Sequence, residues 1–322
     1  MKKIFNKIIS HNYFKYSLIL TSLIFIYLFF KDNEKIIIII SEVEYNRIFF
    51  LIFFSIFLIF IYAHLTLTCL RKVCGIQINT RQWYLIYFNS QFLSSIPFFG
   101  ILYRARQLKK FNLNYDKFVG IYILISWFYL FFSLLFISLE SYVFFEQAIL
   151  LNFRLYLIFF VSSILVFLIP FISGFILDRY ISYFKIEKNF FISRIQKLIQ
   201  LFILNVFNFK LVRSFFIIIL VIHILEFVVI SELIQSLESD INFKKTFYIF
   251  FGAQIIDALN LIPQNLIISE IGIGILTDKL DYDFELGVLI KIYMRFVIFF
   301  SSILMALLYN VYLRLLNYKY DP

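Results

Sequence analysis

The sequence predicts an all-α fold: a polytopic membrane helix bundle of about six spans, with two re-entrant broken helices in an inverted repeat. Three observations predict it. Hydrophobic residues make up 62% of the 322 residues, and the mean hydropathy is +0.89. A soluble core of this size cannot enclose that much apolar surface, so lipid is the solvent for part of the chain. The basic residues concentrate in short segments between apolar stretches, where they act as topology signals. Two further apolar stretches are each broken by a proline.

A span needs roughly 20 apolar residues. Six stretches qualify: 14–30, 48–70, 118–139, 155–177, 214–230 and 286–310. The first follows a basic start with no small-residue cleavage site after it, so it reads as a retained anchor. Placing the N-terminus inside puts most of the 30 Lys and Arg in the inner segments 1–15, 69–83, 104–117, 178–213 and 311–322. That bias orients the chain with both termini cytoplasmic, in a bacterial cytoplasmic (inner) membrane. Arg295 is read as the one base lying within a span.

The two broken segments are 83–103 and 247–276, interrupted at Pro97 and Pro263. Arg71, Lys72 and Arg81 precede the first, and Arg104, Arg106, Lys109 and Lys110 follow it, so both flanks are inside. Glu232, Glu238 and Asp240 precede the second, and Asp278, Asp281, Asp283 and Glu285 follow it, so both flanks are outside. Each segment therefore enters and leaves on one face, and the two faces differ. The single transmembrane domain, 1–322, then divides into an N-terminal span and outer loop (1–47), a first repeat (48–139), a connecting span with a basic inner segment (140–213), an inverted second repeat (214–310) and an inner tail (311–322). Membrane carriers use such inverted repeats to place a site at the midplane. A local echo accompanies the topology: Phe88-Asn89-Ser90-Gln91 precedes Pro97, and Phe251-Gly252-Ala253-Gln254 precedes Pro263.

The net charge of +10 does not point to nucleic acid, because the cations sit in short loops. The 46 Phe are residues that an AT-rich genome favours and carry no stacking argument. Cys69 and Cys74 read as free thiols, and with the scattered His11, His64 and His223 they form no metal-ligand set. No cofactor is expected, and no phosphate-binding G-x-x-x-x-G-K-[ST] loop is present.

Charges inside a bilayer are costly and face a cavity or a partner. Glu226, Asp257, Glu270 and Arg295 fall within membrane segments, and Arg104 sits at the exit of the first broken segment. Broken helices leave unpaired backbone groups that survive only inside protein or beside a wet cavity. Both broken segments and their charges thus suggest one polar cavity. Asp257 and Glu270 flank Pro263, and Arg295 follows in the next span, so an acid–arginine pairing is expected. Glu226 follows His223 by three residues, a spacing that suits inter-helix packing more than a metal site or proton relay.

Ile96-Pro97-Phe98-Phe99-Gly100-Ile101-Leu102-Tyr103-Arg104, followed by Leu108-Lys109-Lys110, resembles the first signature of the lysylphosphatidylglycerol synthase transmembrane family: a proline, a glycine, then an arginine before a basic stretch. Pro263 and Glu270 match the proline and glutamate of its second signature, Pro-Gly-Gly-x-Gly-x-x-Glu. Arg295 matches an arginine in the last long span. The glycines of that signature are replaced by Gln264, Asn265 and Ile267, and Ile101 stands where an acid often follows the first glycine. The turn at Pro263 and Asn265 must therefore be built differently. The resemblance covers roughly residues 10–310 and implies the flippase-like half of the family, without the soluble domain that transfers lysine to phosphatidylglycerol.

The leading expectation is a non-enzymatic, flippase-like lipid translocator. Its partners would be membrane lipids, a phospholipid or a polyprenyl-linked glycan. Arg104 and Arg295 would meet a phosphate, while Asp257 and Glu270 would hold an amine or sugar hydroxyls, with Pro97, Gly100, Pro263 and Asn265 shaping the turns. One alternative is a membrane glycosyltransferase using a polyprenyl-phosphate donor, with Asp32, Glu34, Glu42 and Glu44 in its first outer loop. Another is a scaffold for envelope-biosynthesis proteins, docked through segment 178–213.

Overall fold

The computed structural model describes residues 45–94, 99–143, 149–184, 208–237, 243–259 and 268–316, with isolated positions between 196 and 205. Among them lie nine α-helices: α1 (Tyr45–Lys72), α2 (Thr80–Leu93), α3 (Phe99–Lys109), α4 (Tyr115–Val143), α5 (Ile149–Phe184), α6 (Phe209–Leu237), α7 (Phe243–Leu259), α8 (Ile268–Lys279) and α9 (Phe284–Leu315). Five of them, α1, α4, α5, α6 and α9, are long and apolar enough to cross a membrane. They contain the expected spans 48–70, 118–139, 155–177, 214–230 and 286–310. The expected span 14–30 lies outside the described residues, as do the acids Asp32, Glu34, Glu42 and Glu44.

The apolar residues are sorted as a membrane requires. On α1, Leu51, Leu58 and Ala63 face the protein, while Phe49, Phe53, Phe57 and Phe60 form an exposed stripe at helical spacing. Such a stripe is a liability in water and an ordinary lipid-facing surface in a bilayer. α5 is the most outlying span, with a wide apolar face turned outward. It packs chiefly on α4, where the Trp127 indole donates to the Val166 carbonyl at 2.8 Å.

The two broken segments are antiparallel helical hairpins. In the first, a Cβ on Gly100 of α3 would lie 2.5 Å from the Ser90 carbonyl oxygen of α2, so only glycine admits that approach. In the second, Gly252 of α7 packs on Leu276 of α8, and Ile256 packs on Gly272. The arms run from 11 to 17 residues. At 1.5 Å per residue that is roughly 16 to 25 Å, short of a hydrocarbon core about 30 Å thick. Among the described residues, no arm of either hairpin is long enough to cross alone. Their turns, with Pro97, Pro263 and Asn265, lie outside the described residues.

Side-chain contacts give the directions. Lys72 meets Ser214 at one end of the α1–α6 contact, and Tyr62 meets Glu226 further along, so α1 and α6 are antiparallel. α2 runs back along α1: Trp83 donates to the Ala63 carbonyl, and Phe88 stacks near Phe60. α7 likewise runs back along α6, with Phe243 against Phe227 and Phe251 against His223. The α2–α3 hairpin thus opens at the end where α1 finishes, and the α7–α8 hairpin at the opposite face.

The two units, α1–α4 and α6–α9, share their packing pattern. α1 packs on α2 as α6 packs on α7; α3 on α4 as α8 on α9; α1 on α4 as α6 on α9; and α7 on α4 as α2 on α9. Even the corners agree. α3 ends with Asn112 at φ 58 and the Leu113 N–H bonded to the Leu108 carbonyl, while α8 ends with Asp281 at φ 61 and the Tyr282 N–H bonded to the Thr277 carbonyl. Both are Schellman caps, in which a left-handed residue lets the chain satisfy the last carbonyls. The segments that build them match residue for residue in type: Phe111-Asn112-Leu113-Asn114-Tyr115-Asp116 and Leu280-Asp281-Tyr282-Asp283-Phe284-Glu285. Gln91 and Gln254, the echo in the sequence, fall at the same place in the first arm of each hairpin.

Candidate functional site

The charged site is built on α9. Lys291 and Arg295 are four residues apart, so they share a helix face, and that face meets both arms of the second hairpin. Lys291 pairs with Asp257 of α7. Arg295 pairs with Glu270 of α8 through Nη1 and Oε1 at 2.7 Å. Its Nη2 donates to the Ser269 hydroxyl at 2.8 Å, and that hydroxyl donates to the Glu270 Oε2 at 3.3 Å. Gly287 makes room for this packing, since a Cβ there would lie 2.6 Å from the Ile273 carbonyl oxygen. Each pair has one covered member and one open one. The Lys291 and Glu270 side chains are 8% and 9% exposed, against 42% for Asp257 and 29% for Arg295. The open members leave the pairs reachable by a polar group from outside the bundle.

The expected acid–arginine pairing exists at Glu270, but Asp257 takes a lysine. Lys291 is a second membrane-embedded base beside Arg295: it falls within the expected span 286–310, so reading Arg295 as the one base within a span overlooks it. α9 begins at Phe284, which carries Lys291 about two turns into the span. The signal available in the sequence was the four-residue spacing to Arg295, which mirrors two acids to be matched.

Glu226 occupies the contact between the two units. Its Oε1 accepts from the Tyr62 hydroxyl of α1, and its Oε2 accepts from the Gln254 amide of α7 at 2.7 Å. It is buried, and no Lys or Arg nitrogen lies within ion-pair distance of it among the described residues. His223, one turn earlier, is not part of this group. Its Nδ1 donates to the Ile219 carbonyl at 2.9 Å, which leaves Nε2 to accept from the Ser133 hydroxyl at 3.0 Å. Rings of Tyr129, Phe136, Phe250 and Phe251 surround it. That is a satisfied, neutral core histidine, in keeping with inter-helix packing.

Arg104 stands apart from the ion pairs. It is buried in α3, with its guanidinium 5.1 Å from the Tyr87 ring centroid and 5.2 Å from that of Tyr122. These are cation–π distances. Its Nε has no hydrogen-bond partner, and no carboxylate pairs with it among the described residues. The expected single cavity is thus divided: the second hairpin carries the ion pairs, and the first carries an aromatic-bound cation. Gly100, one turn before Arg104 on α3, sets the close approach of the hairpin arms that buries it.

Of the cysteines, Cys69 is fully buried in α1, and Cys74 is partly buried just beyond its end. Burial pushes the Cys74 thiol up to about 11, against a smaller opposite effect of Lys117. No group of three or more His, Cys, Asp or Glu side chains gathers among the described residues. No family model, no curated protein and no solved structure matches the chain.

Proposed function

We propose that the chain moves the polar head of an amphiphile, a phospholipid or a polyprenyl-linked glycan, across a membrane without bond-making. What carries the reading is the relation between the two hairpins: they enter from opposite faces, and the second is fastened to α9 by two partly open ion pairs. Irregular backbone and paired charges inside a bilayer are expensive, and carriers place such features where a polar substrate crosses. The resemblance of Pro97, Gly100, Arg104, Pro263, Glu270 and Arg295 to the flippase-like signatures points the same way.

In this reading a phosphate exchanges with Glu270 for Arg295, or with Asp257 for Lys291, and an amine or hydroxyl takes the released carboxylate. The acyl or prenyl tail stays in lipid beside the bundle. Rocking of unit α1–α4 against unit α6–α9 opens the site to each face in turn. The test uses proteoliposomes containing head-labelled phosphatidylglycerol or a head-labelled polyprenyl-phosphate sugar, with label in the outer leaflet destroyed chemically. Loss of inner-leaflet label at a rate proportional to the protein present is the expected result. No movement of either probe overturns the reading.

A further inference from the structure

We propose that Glu226 is a reversible proton site that couples proton movement to the second hairpin. The transport half of this inference rests on the translocator reading above; the proton site itself does not.

The geometry sets Glu226 apart from the other membrane acids. Asp257 and Glu270 each hold a cation, whereas Glu226 is 5% exposed and holds only neutral donors, the Tyr62 hydroxyl and the Gln254 amide. Neutral donors satisfy a carboxylate's lone pairs without cancelling its charge, so an ionised Glu226 is an uncompensated buried anion. A bound proton removes that charge. The groups facing it are few. α1 presents Tyr62, whose ring stacks 5.9 Å from Tyr129 of α4. The Tyr129 hydroxyl is itself buried without a hydrogen-bond partner. α7 presents Gln254 and, three residues on, Asp257, which pairs with Lys291 of α9. On its own helix, His223 is already satisfied.

Lys291 is thus the ammonium tied to the same helix arm that holds Glu226. With Glu226 protonated, its O–H donates to the Tyr62 hydroxyl oxygen, and Lys291 stays with Asp257. When the Glu226 O–H bond breaks, the proton passes to water and the carboxylate draws Lys291. Asp257, the more open acid, then faces water. No group is oxidised or reduced. Gln254 and Asp257 are three residues apart on one face of α7, so the exchange changes both anchors of that arm at once.

Two arms test the proposal on the full chain. The first is infrared difference spectroscopy of the purified protein in lipid nanodiscs, between acidic and neutral buffer. A protonated-carboxyl band that disappears in Glu226→Gln and persists in Glu270→Gln is expected; a Glu226→Gln spectrum identical to wild type overturns the site. The second is the head-labelled phosphatidylglycerol assay under an imposed pH gradient. The wild-type rate should respond to the gradient, and the response should be lost in Glu226→Gln. A wild-type rate indifferent to the gradient overturns the coupling. If no lipid moves at all, the translocator reading fails, and the infrared result alone decides the proton site.

Discussion

Arg295 of α9 holds Glu270 of the second hairpin at 2.7 Å, and the Ser269 hydroxyl bridges the two. This pair and its neighbour, Asp257 with Lys291, bind the two arms of the hairpin to one helix face. Removing one partner of a covered ion pair leaves the other charge stranded, at about 3–5 kcal/mol when burial is complete. Arg295 is 29% exposed, so solvent screening lowers the effect.

Glu270→Gln should therefore lower stability by on the order of 1–3 kcal/mol. Thermal unfolding in detergent reads this as a decrease in Tm. Glu270→Arg combined with Arg295→Glu should recover part of the loss. A single variant as stable as wild type would mean that the pair contributes nothing.

Gly100→Ala should also destabilise, because its new Cβ would meet the Ser90 backbone oxygen at 2.5 Å as well as the Ser94 hydroxyl, and the backbone oxygen cannot swing aside. Overpacking of this kind costs about 1–3 kcal/mol. The same unfolding assay measures it, and an unchanged Tm would show that the α2–α3 contact is looser than described.

The opposed directions of the hairpins predict opposite exposure of their closing corners. In a chain with Cys69 and Cys74 replaced by serine, Asn114→Cys should react with an impermeant maleimide from one face of sealed vesicles only. Asp283→Cys should react from the other face only. Both positions are exposed at the corners entering α4 and α9. Labelling of both from one face contradicts the inverted repeat.

Cys74 should react slowly with maleimide near neutral pH. Its thiol is held up to about 11, chiefly by burial, against about 8.5 in an unfolded chain. The reactive thiolate is scarce at pH 7 and increases roughly tenfold per pH unit up to the folded value. Unfolding should accelerate labelling at fixed pH. By the same sign, the folded state favours the thiol form, so the stability contributed by this group is complete below about 8.5 and fades as pH rises through about 11.

The bundle was legible in the sequence because lipid imposes a coarse rule: long apolar runs must be helices, and cations mark their inner ends. The hairpins were legible for the same reason, since Arg71–Arg81 and Arg104–Lys110 place both flanks of the first on one side. The corner repeat around Asn112 and Asp281 was present but unread. Its residues match in type rather than identity, and its meaning lies in a left-handed cap that periodicity does not reveal. Partner choice was the least legible part. Whether Asp257 meets Lys291 or Arg295 depends on how the two hairpin arms pack against α9, which helical periodicity does not encode. The neutral pairing of Glu226 with Tyr62 depends on two distant helices crossing at one level, which no local pattern encodes.

In the proposed translocator, the two inverted units move against each other to carry a head group across. Lys72 and Ser214 meet at one end of the α1–α6 contact, 2.8 Å apart. The decisive measurement cross-links Lys72→Cys to Ser214→Cys with a short bis-maleimide, in a chain without Cys69 and Cys74, and follows head-labelled phosphatidylglycerol in proteoliposomes. Translocation should stop in proportion to the cross-linked fraction, while each single variant stays active. Full cross-linking with an undiminished rate would contradict the account.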